Sequence, residues 1–157
     1  INFFLGGGRA AGHGRGERIE PLADVDIEHL LLVNPGFGVS SGEAYAAVER
    51  FGGDDDAWRS YLDSGDVSLT RNALQEGVCR LYPQLRALMG EIADAGARPL
   101  LSGSGPTVIG FCPDAETAER LRQGFSQRGW WSVVTRTRGR NERHVCKEDA
   151  PDKTGAV

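Results

Sequence analysis

The chain opens in short apolar runs broken by glycine. Phe3 to Leu5 runs into Gly6-Gly7-Gly8, Arg9 to Ala11 into the Gly12–Gly16 stretch, and Ile19 to Leu22 closes the segment. This spacing predicts hairpin strands over residues 1–22, followed by a polar connection at Asp24 to Glu28. His29 to Asn34 is a continuous apolar run ended by Pro35-Gly36, as expected of an interior strand. Ser40-Ser41-Gly42-Glu43 has serine three residues before glutamate, a capping-box pattern that predicts a helix through about Arg50. Residues 52–67 are acidic and turn-rich and read as a surface loop, with a short helix near Trp58 to Leu62.

From Arg71 to Ala95 the apolar positions Leu74, Val78, Leu81, Leu85, Leu88 and Ile92 alternate in steps of four and three, a helical stripe. Pro83 should kink or split that helix, because it has no amide hydrogen and its ring crowds the preceding turn. Gly96 suits a left-handed stop. Two short strands follow, Pro99 to Ser102 and Thr107 to Cys112, joined by Gly103-Ser104-Gly105-Pro106. Asp114 should cap a helix carrying Ala118, Leu121 and Phe125 and ending at Gly129. Trp130 to Thr137 alternates as a last strand, and from Gly139 onward the chain reads as a frayed tail. From residue 29 the order is therefore strand, helices, strand, strand, helix, strand. That is the split β-α-β-β-α-β pattern of an α+β, ferredoxin-like fold, with helices over one face of an antiparallel sheet.

Composition narrows the setting. The 157 residues are 39% hydrophobic and 25% charged, with a formal charge of −4, so a globular chain is expected and general attraction to nucleic acid is not. No apolar run comes near the roughly 20 residues of a membrane-spanning helix. The expected setting is cytoplasmic, away from membranes. The only lysines are Lys147 and Lys153, both in the tail, so no phosphate-neutralising lysine comes from the body. Cys79, Cys112 and Cys146 are isolated and read as buried or incidental thiols. The start at Ile1-Asn2-Phe3 falls inside an apparent strand, as if the chain were cut from a longer one.

The candidate chemistry lies in LSGSGPTVIG, 101–110. Gly103 and Gly105 can take positive φ and gather amide hydrogens at one point, with the Ser102 and Ser104 hydroxyls beside them. Such a cup holds a phosphate; the alternative is a plain hairpin turn. No Gly-Lys-Ser/Thr follows, so it is not a Walker loop. Tyr45, early in the helix capped by Ser40, could stack on a flat ring or pack on its own domain. Asp54-Asp55-Asp56 reads as a solvated loop, and no metal site is assigned. His13, His29 and His144 share no ligand or triad spacing, and no catalytic residue is assigned.

Four pieces, FFLGGGRAAGHGRGERIEPL at 3–22, LVNPGFGVSSGEAY at 32–45, RLYPQL at 80–85 and LSGSGPTVIG at 101–110, occur in the order of one family. The chain resembles the later half of the galactokinase, homoserine kinase, mevalonate kinase and phosphomevalonate kinase (GHMP) superfamily. Within it, the resemblance is to the kinases of 4-diphosphocytidyl-2-C-methyl-D-erythritol, of non-mevalonate isoprenoid synthesis. The resemblance implies phosphorylation of the substrate's 2-hydroxyl using ATP and magnesium, in a cleft between two domains. It implies that Ser102, Gly103, Ser104 and Gly105 shape the phosphate end, that Tyr45 packs on the cytosine ring, and that Ser41 lines the site. It also implies three segments: residues 1–34 as strands of a preceding kinase domain, 35–140 as the C-terminal domain, and 141–157 as a disordered tail. The family's ATP loop and early lysine belong to the other half. Its catalytic aspartate, two residues before a proline preceding Phe-Phe, would fall just ahead of Ile1, with Asn2 in the proline's place. This polypeptide alone is therefore expected to show no turnover, the missing half being its implied partner. The alternatives are a stand-alone ferredoxin-like binding or regulatory module, and an acylphosphatase-like enzyme, for which Asn34-Pro35-Gly36 is a poor match.

Overall fold

Leu31 and Val33 are fully buried, and Leu32 between them is only half-buried. That alternation is the pleat of a strand with one face on the core. In a computed structural model, which describes residues 7–48 and 55–141, this strand is β3 (Leu30–Asn34). It pairs antiparallel with β5 (Val108–Phe111) on one side and β6 (Trp131–Thr135) on the other. With β4 (Arg98–Leu101) on the outer edge of β5, the sheet order is β4-β5-β3-β6. The order and the antiparallel sense are those of the ferredoxin-like arrangement expected from the sequence. β3 lies on the earlier side of the boundary drawn at 34/35, yet both its edges are hydrogen-bonded to strands of the later part.

Helices cover the inner face. The apolar stripe is split at Tyr82 into α3 (Gln75–Leu81) and α4 (Pro83–Asp94), since Pro83 can open a helix but not sit inside one. Leu74, Val78, Leu85, Leu88 and Ile92 are buried as the stripe predicts. Leu81 is not: it is 49% exposed, because Tyr82 leaves helical φ/ψ and resets the phase, and Cys79 and Met89 fill core positions instead. Gly110 lets α4 settle onto the sheet; a Cβ there would stand 3.3 Å from Ile92 Cγ2. α5 (Ala115–Gln127) starts where Asp114 accepts the Thr117 amide at 2.7 Å, and it buries Ala118, Leu121 and Phe125. Each fully buried leucine or phenylalanine contributes on the order of 1.5–3 kcal/mol relative to an exposed one.

On the outer face of α5, Glu119 receives Arg122 Nε at 2.7 Å, Arg122 Nη2 at 2.5 Å and Gln123 Nε2 at 3.0 Å. Hydrogen bonds from Arg122, then from Gln123, hold the Glu119 carboxyl at about 2, below its usual 4.5. A carboxyl lowered in the folded state stabilises above its unfolded value and loses that contribution as pH falls. The urea midpoints of the native chain and Glu119→Gln should therefore differ at pH 6 and converge as pH falls from 4.5 toward 2. A difference independent of pH would contradict this assignment.

Several sequence expectations are corrected. The helix capped by Ser40 is α1 (Ser41–Ala46) and stops short of Arg50, its last carbonyl region taken up by Arg80, whose Nη2 donates to Ala47 O at 3.1 Å. Part of the acidic loop is a ten-residue helix, α2 (Asp55–Ser64), followed by a 3-10 turn at Val67–Leu69. Arg9 closes the end of α2: its guanidinium donates to Tyr61 O and, at 3.1 Å, to Leu62 O, and lies 4.6 Å from the centre of the Tyr61 ring. Tyr61 O also accepts Gly65 N locally at 2.8 Å, so the long-range cap matters most for Leu62 O, which has no local partner among the described residues.

The early hairpin is present as β1 (Ala10–His13) and β2 (Arg18–Pro21), paired antiparallel. Asp24 ties it to the end of the chain's described part, accepting Arg9 N at 2.8 Å and Arg140 N at 2.7 Å. Those amides, Arg140 first, hold the Asp24 carboxyl below the usual range. Residues 139 and 140 are thus anchored rather than frayed. Phe3 to Leu5, Asp54, His144, Cys146 and the rest of the proposed tail lie outside the described residues. Among the described residues no helix is long and apolar enough to cross a membrane.

Candidate functional site

The turn between β4 and β5 is the point where three separate parts of the chain meet. Gly103 (φ +56°) and Gly105 (φ +83°) both take the left-handed backbone that the sequence expects of them. Inside the turn, Ser102 N donates to Thr107 O at 2.9 Å and Gly105 N donates to Ser102 O at 2.8 Å. The expected cup of consecutive amides is therefore smaller than the sequence suggests. Pro106 has no N–H, and the amides left without an acceptor among the described residues are those of Gly103, Ser104 and Thr107.

Helix α1 reaches this turn through Ser41, whose Oγ lies 3.1 Å from Ser104 Oγ. Tyr45 stands four residues after Ser41 and so shares its face of α1. Tyr45 is 57% exposed, which leaves it available for stacking rather than packed into its own domain. Ser40 forms half of the capping box, its Oγ accepting Glu43 N at 3.3 Å. The Glu43 carboxylate turns instead to Tyr82, whose hydroxyl donates to it at 3.1 Å, and Tyr82 stacks on Phe37. This fixes the angle of α1 against the α3–α4 break. Ser102 is exposed on the same turn, so all six predicted site residues fall in one region.

Two side chains that sequence reasoning missed hold the turn. Asn72 Nδ2 donates to Leu101 O at 2.8 Å and Gly103 O at 2.7 Å, and its Oδ1 accepts Leu74 N at 2.9 Å. Gln75 Oε1 accepts Leu101 N at 3.0 Å. Asn72 is separated from its two carbonyl partners by 29 and 31 residues, so no local pattern signals the contact. On the other flank Asn34 Nδ2 donates to Thr107 Oγ1 at 3.1 Å.

The remaining candidates lie elsewhere. His13 pairs with Glu20 at 2.9 Å in the hairpin, and His29 is 4.0 Å from Glu28. Burial pushes the Cys79 and Cys112 thiols up, which suits inert core groups. A cavity of about 310 Å³ between the hairpin, Tyr61 and Thr137 does not include the site residues.

The family described as GHMP kinases C terminal matches residues 44–129, a span that holds Tyr45, Asn72 and the glycine turn. The chain belongs to this family. Among relatives, it is 36% identical over 148 residues to a 4-diphosphocytidyl-2-C-methyl-D-erythritol kinase of Deinococcus radiodurans, covering 88% of this chain and 49% of the relative. A protein of the same name from Moorella thermoacetica is 33% identical over 149 residues, with 87% and 52% covered. A crystal structure of 4-(cytidine 5'-diphospho)-2C-methyl-D-erythritol kinase superposes with a TM-score of 0.71 at 31% identity, covering 87% of this chain and 52% of that one. A homoserine kinase from Cytophaga hutchinsonii shares the fold, with a TM-score of 0.65 at 18% identity. This member of the GHMP kinases spans about half the length of the curated relatives it matches. The stand-alone module reading is not favoured, because these relatives are kinases twice as long.

Proposed function

We propose that this chain is the C-terminal part of an ATP-dependent kinase acting on the 2-hydroxyl of 4-diphosphocytidyl-2-C-methyl-D-erythritol, in a soluble, cytoplasmic setting. The observation that carries the reading is the Ser41–Ser104 contact at 3.1 Å, which sets Tyr45 one helical turn from the glycine turn. A ring for a flat base and a cluster of donors for phosphate then stand side by side. The names of the relatives support the choice of substrate.

In this reading the Gly103 and Ser104 amides and the Ser41, Ser102 and Ser104 hydroxyls donate to phosphate oxygens. Phosphoryl transfer asks for positioning and for stabilisation of charge spread over those oxygens, and neutral donors fixed on a rigid turn supply both. These donor groups suit a nucleotide phosphate. Magnesium would neutralise charge between phosphates, but among the described residues no three carboxylate, imidazole or thiol groups come together to hold it. Its ligands, the ATP loop and the base that activates the hydroxyl are assigned to the preceding half, the implied partner.

Joined in frame behind the first half of the Deinococcus radiodurans relative, the chain should phosphorylate the methylerythritol substrate at the expense of ATP. Aromatic stacking on a base contributes roughly 1–3 kcal/mol. Tyr45→Ala should then raise KM for that substrate about tenfold, with kcat much less affected and Tyr45→Phe near native. A chimera that turns over the substrate with KM unmoved by Tyr45→Ala would remove tyrosine from the site.

A further inference from the structure

Behind the glycine turn lies a second group of donors that the kinase reading does not use. A cavity of about 370 Å³ opens there, with Arg71, Asn72, Gln75, Glu76 and Arg98 among its walls. Its carboxylate is paired outside the cavity's arginines, since Glu76 Oε1 accepts Arg86 Nη2 at 2.6 Å. Arg98 is held in place by Thr70, donating to its hydroxyl at 2.7 Å and to its carbonyl, neither of which carries charge. Arg71 has no hydrogen bond or ion pair to any described residue. Partial burial, and then repulsion from Arg71, lower the pKa of Arg98, while Asp66 opposes this only as the last and smallest contribution. Two guanidinium groups therefore share one concavity whose one lining carboxylate, Glu76, is paired with a third, Arg86, which leaves positive potential in excess.

The amides of the walls point to the sign of the ligand as well. Gln75 spends its Oε1 on Leu101 N, which leaves its NH2 as a donor. Asn72 spends its NH2 on the turn and its oxygen on Leu74 N. Apart from the second oxygen of Glu76, the unspent groups are thus donors: one guanidinium fork, part of another, and one amide. Guanidinium forks match the oxygens of a phosphate group in pairs.

We propose that this cavity binds a small oxyanion of the phosphate class, held by Arg71, Arg98 and the Gln75 amide. The site is separate from the one proposed for the nucleotide and does not depend on it. Its position gives it a consequence. Asn72 and Gln75, which wall the cavity, also fix Leu101 and Gly103, so occupancy is transmitted to the backbone of the turn in front.

The test is a nitrogen-resolved NMR titration of the 157-residue chain at low salt, where charge–charge attraction is least screened. The probes are inorganic phosphate and glycerol 3-phosphate. Saturable shifts of the Arg98 Nε–H and Gln75 side-chain amide signals are expected, with a smaller shift at the Gly103 amide. The tighter of the two probes tells whether the bare ion or a phosphate ester is the ligand. Arg71→Ala, at an exposed position, should weaken binding about tenfold or more, and Arg71→Lys should recover part of it. The proposal is overturned by an absence of saturable shifts at Arg98 and Gln75 with both probes, or by shifts indifferent to Arg71→Ala. Shifts confined to Ser41, Tyr45 and Ser104 would also overturn it, while leaving the nucleotide site in front intact.

Discussion

Leu85→Ala should lower the free energy of unfolding by about 2–5 kcal/mol, whereas Leu81→Ala should change it by no more than about 0.5 kcal/mol. Both leucines belong to one apolar stripe in the sequence, four residues apart. Leu85 is fully buried in the cluster formed by α4, α5 and the sheet, with Leu88, Ile92 and Leu31 among its members. Removing three carbons there costs their transfer from water and leaves a cavity that strand and helix backbones cannot close. Leu81 is 49% exposed just before the break at Tyr82, and its loss leaves only more solvent. Urea unfolding of the two variants checks the pair. Equal costs at the two positions would mean that α3 and α4 form one continuous helix in solution.

Gly77→Ala should destabilise by about 1–3 kcal/mol, against a helix preference that by itself favours alanine by about 1 kcal/mol. Gly77 lies within α3, with ordinary helical φ, so nothing in its own backbone demands glycine. The demand comes from outside. A Cβ at Gly77 would stand 2.6 Å from Ala47 O and 3.0 Å from Ala47 Cβ, where the end of α1 crosses α3. The first contact is with backbone and cannot be relieved by a rotamer change. Either α1 moves away or the helices separate, and the Arg80–Ala47 hydrogen bond at 3.1 Å is strained with them. Because α1 carries Ser41 and Tyr45, the same substitution should also weaken the order of the candidate site. Thermal unfolding reads the first effect, and amide exchange across residues 41–47 reads the second. A rise in stability would show that α1 does not pack on α3 as described.

Much of the fold is legible from local chemistry. The period-two and period-3.6 patterns, Asp114 and Ser40 as caps, and Pro83 as a break each act within a few residues. The ferredoxin-like sheet follows from their order. The site is legible in part for the same reason: Gly103 and Gly105 are needed by their own backbone angles. What local pattern could not reveal is how many amides the turn keeps for a ligand, since Gly105 N is consumed by Ser102 O within it.

By itself, the amino-acid sequence determined the element types, their order and the family, because caps, turns and periodicity are short-range properties of the chain. Only the tertiary structure decided that Leu81 faces water, that Arg9 closes α2, and that Asn72 and Gln75 hold the glycine turn. The last two depend on groups tens of residues apart meeting at hydrogen-bond distance, and which groups meet is settled by the packing of helices on the sheet rather than by any neighbouring residue.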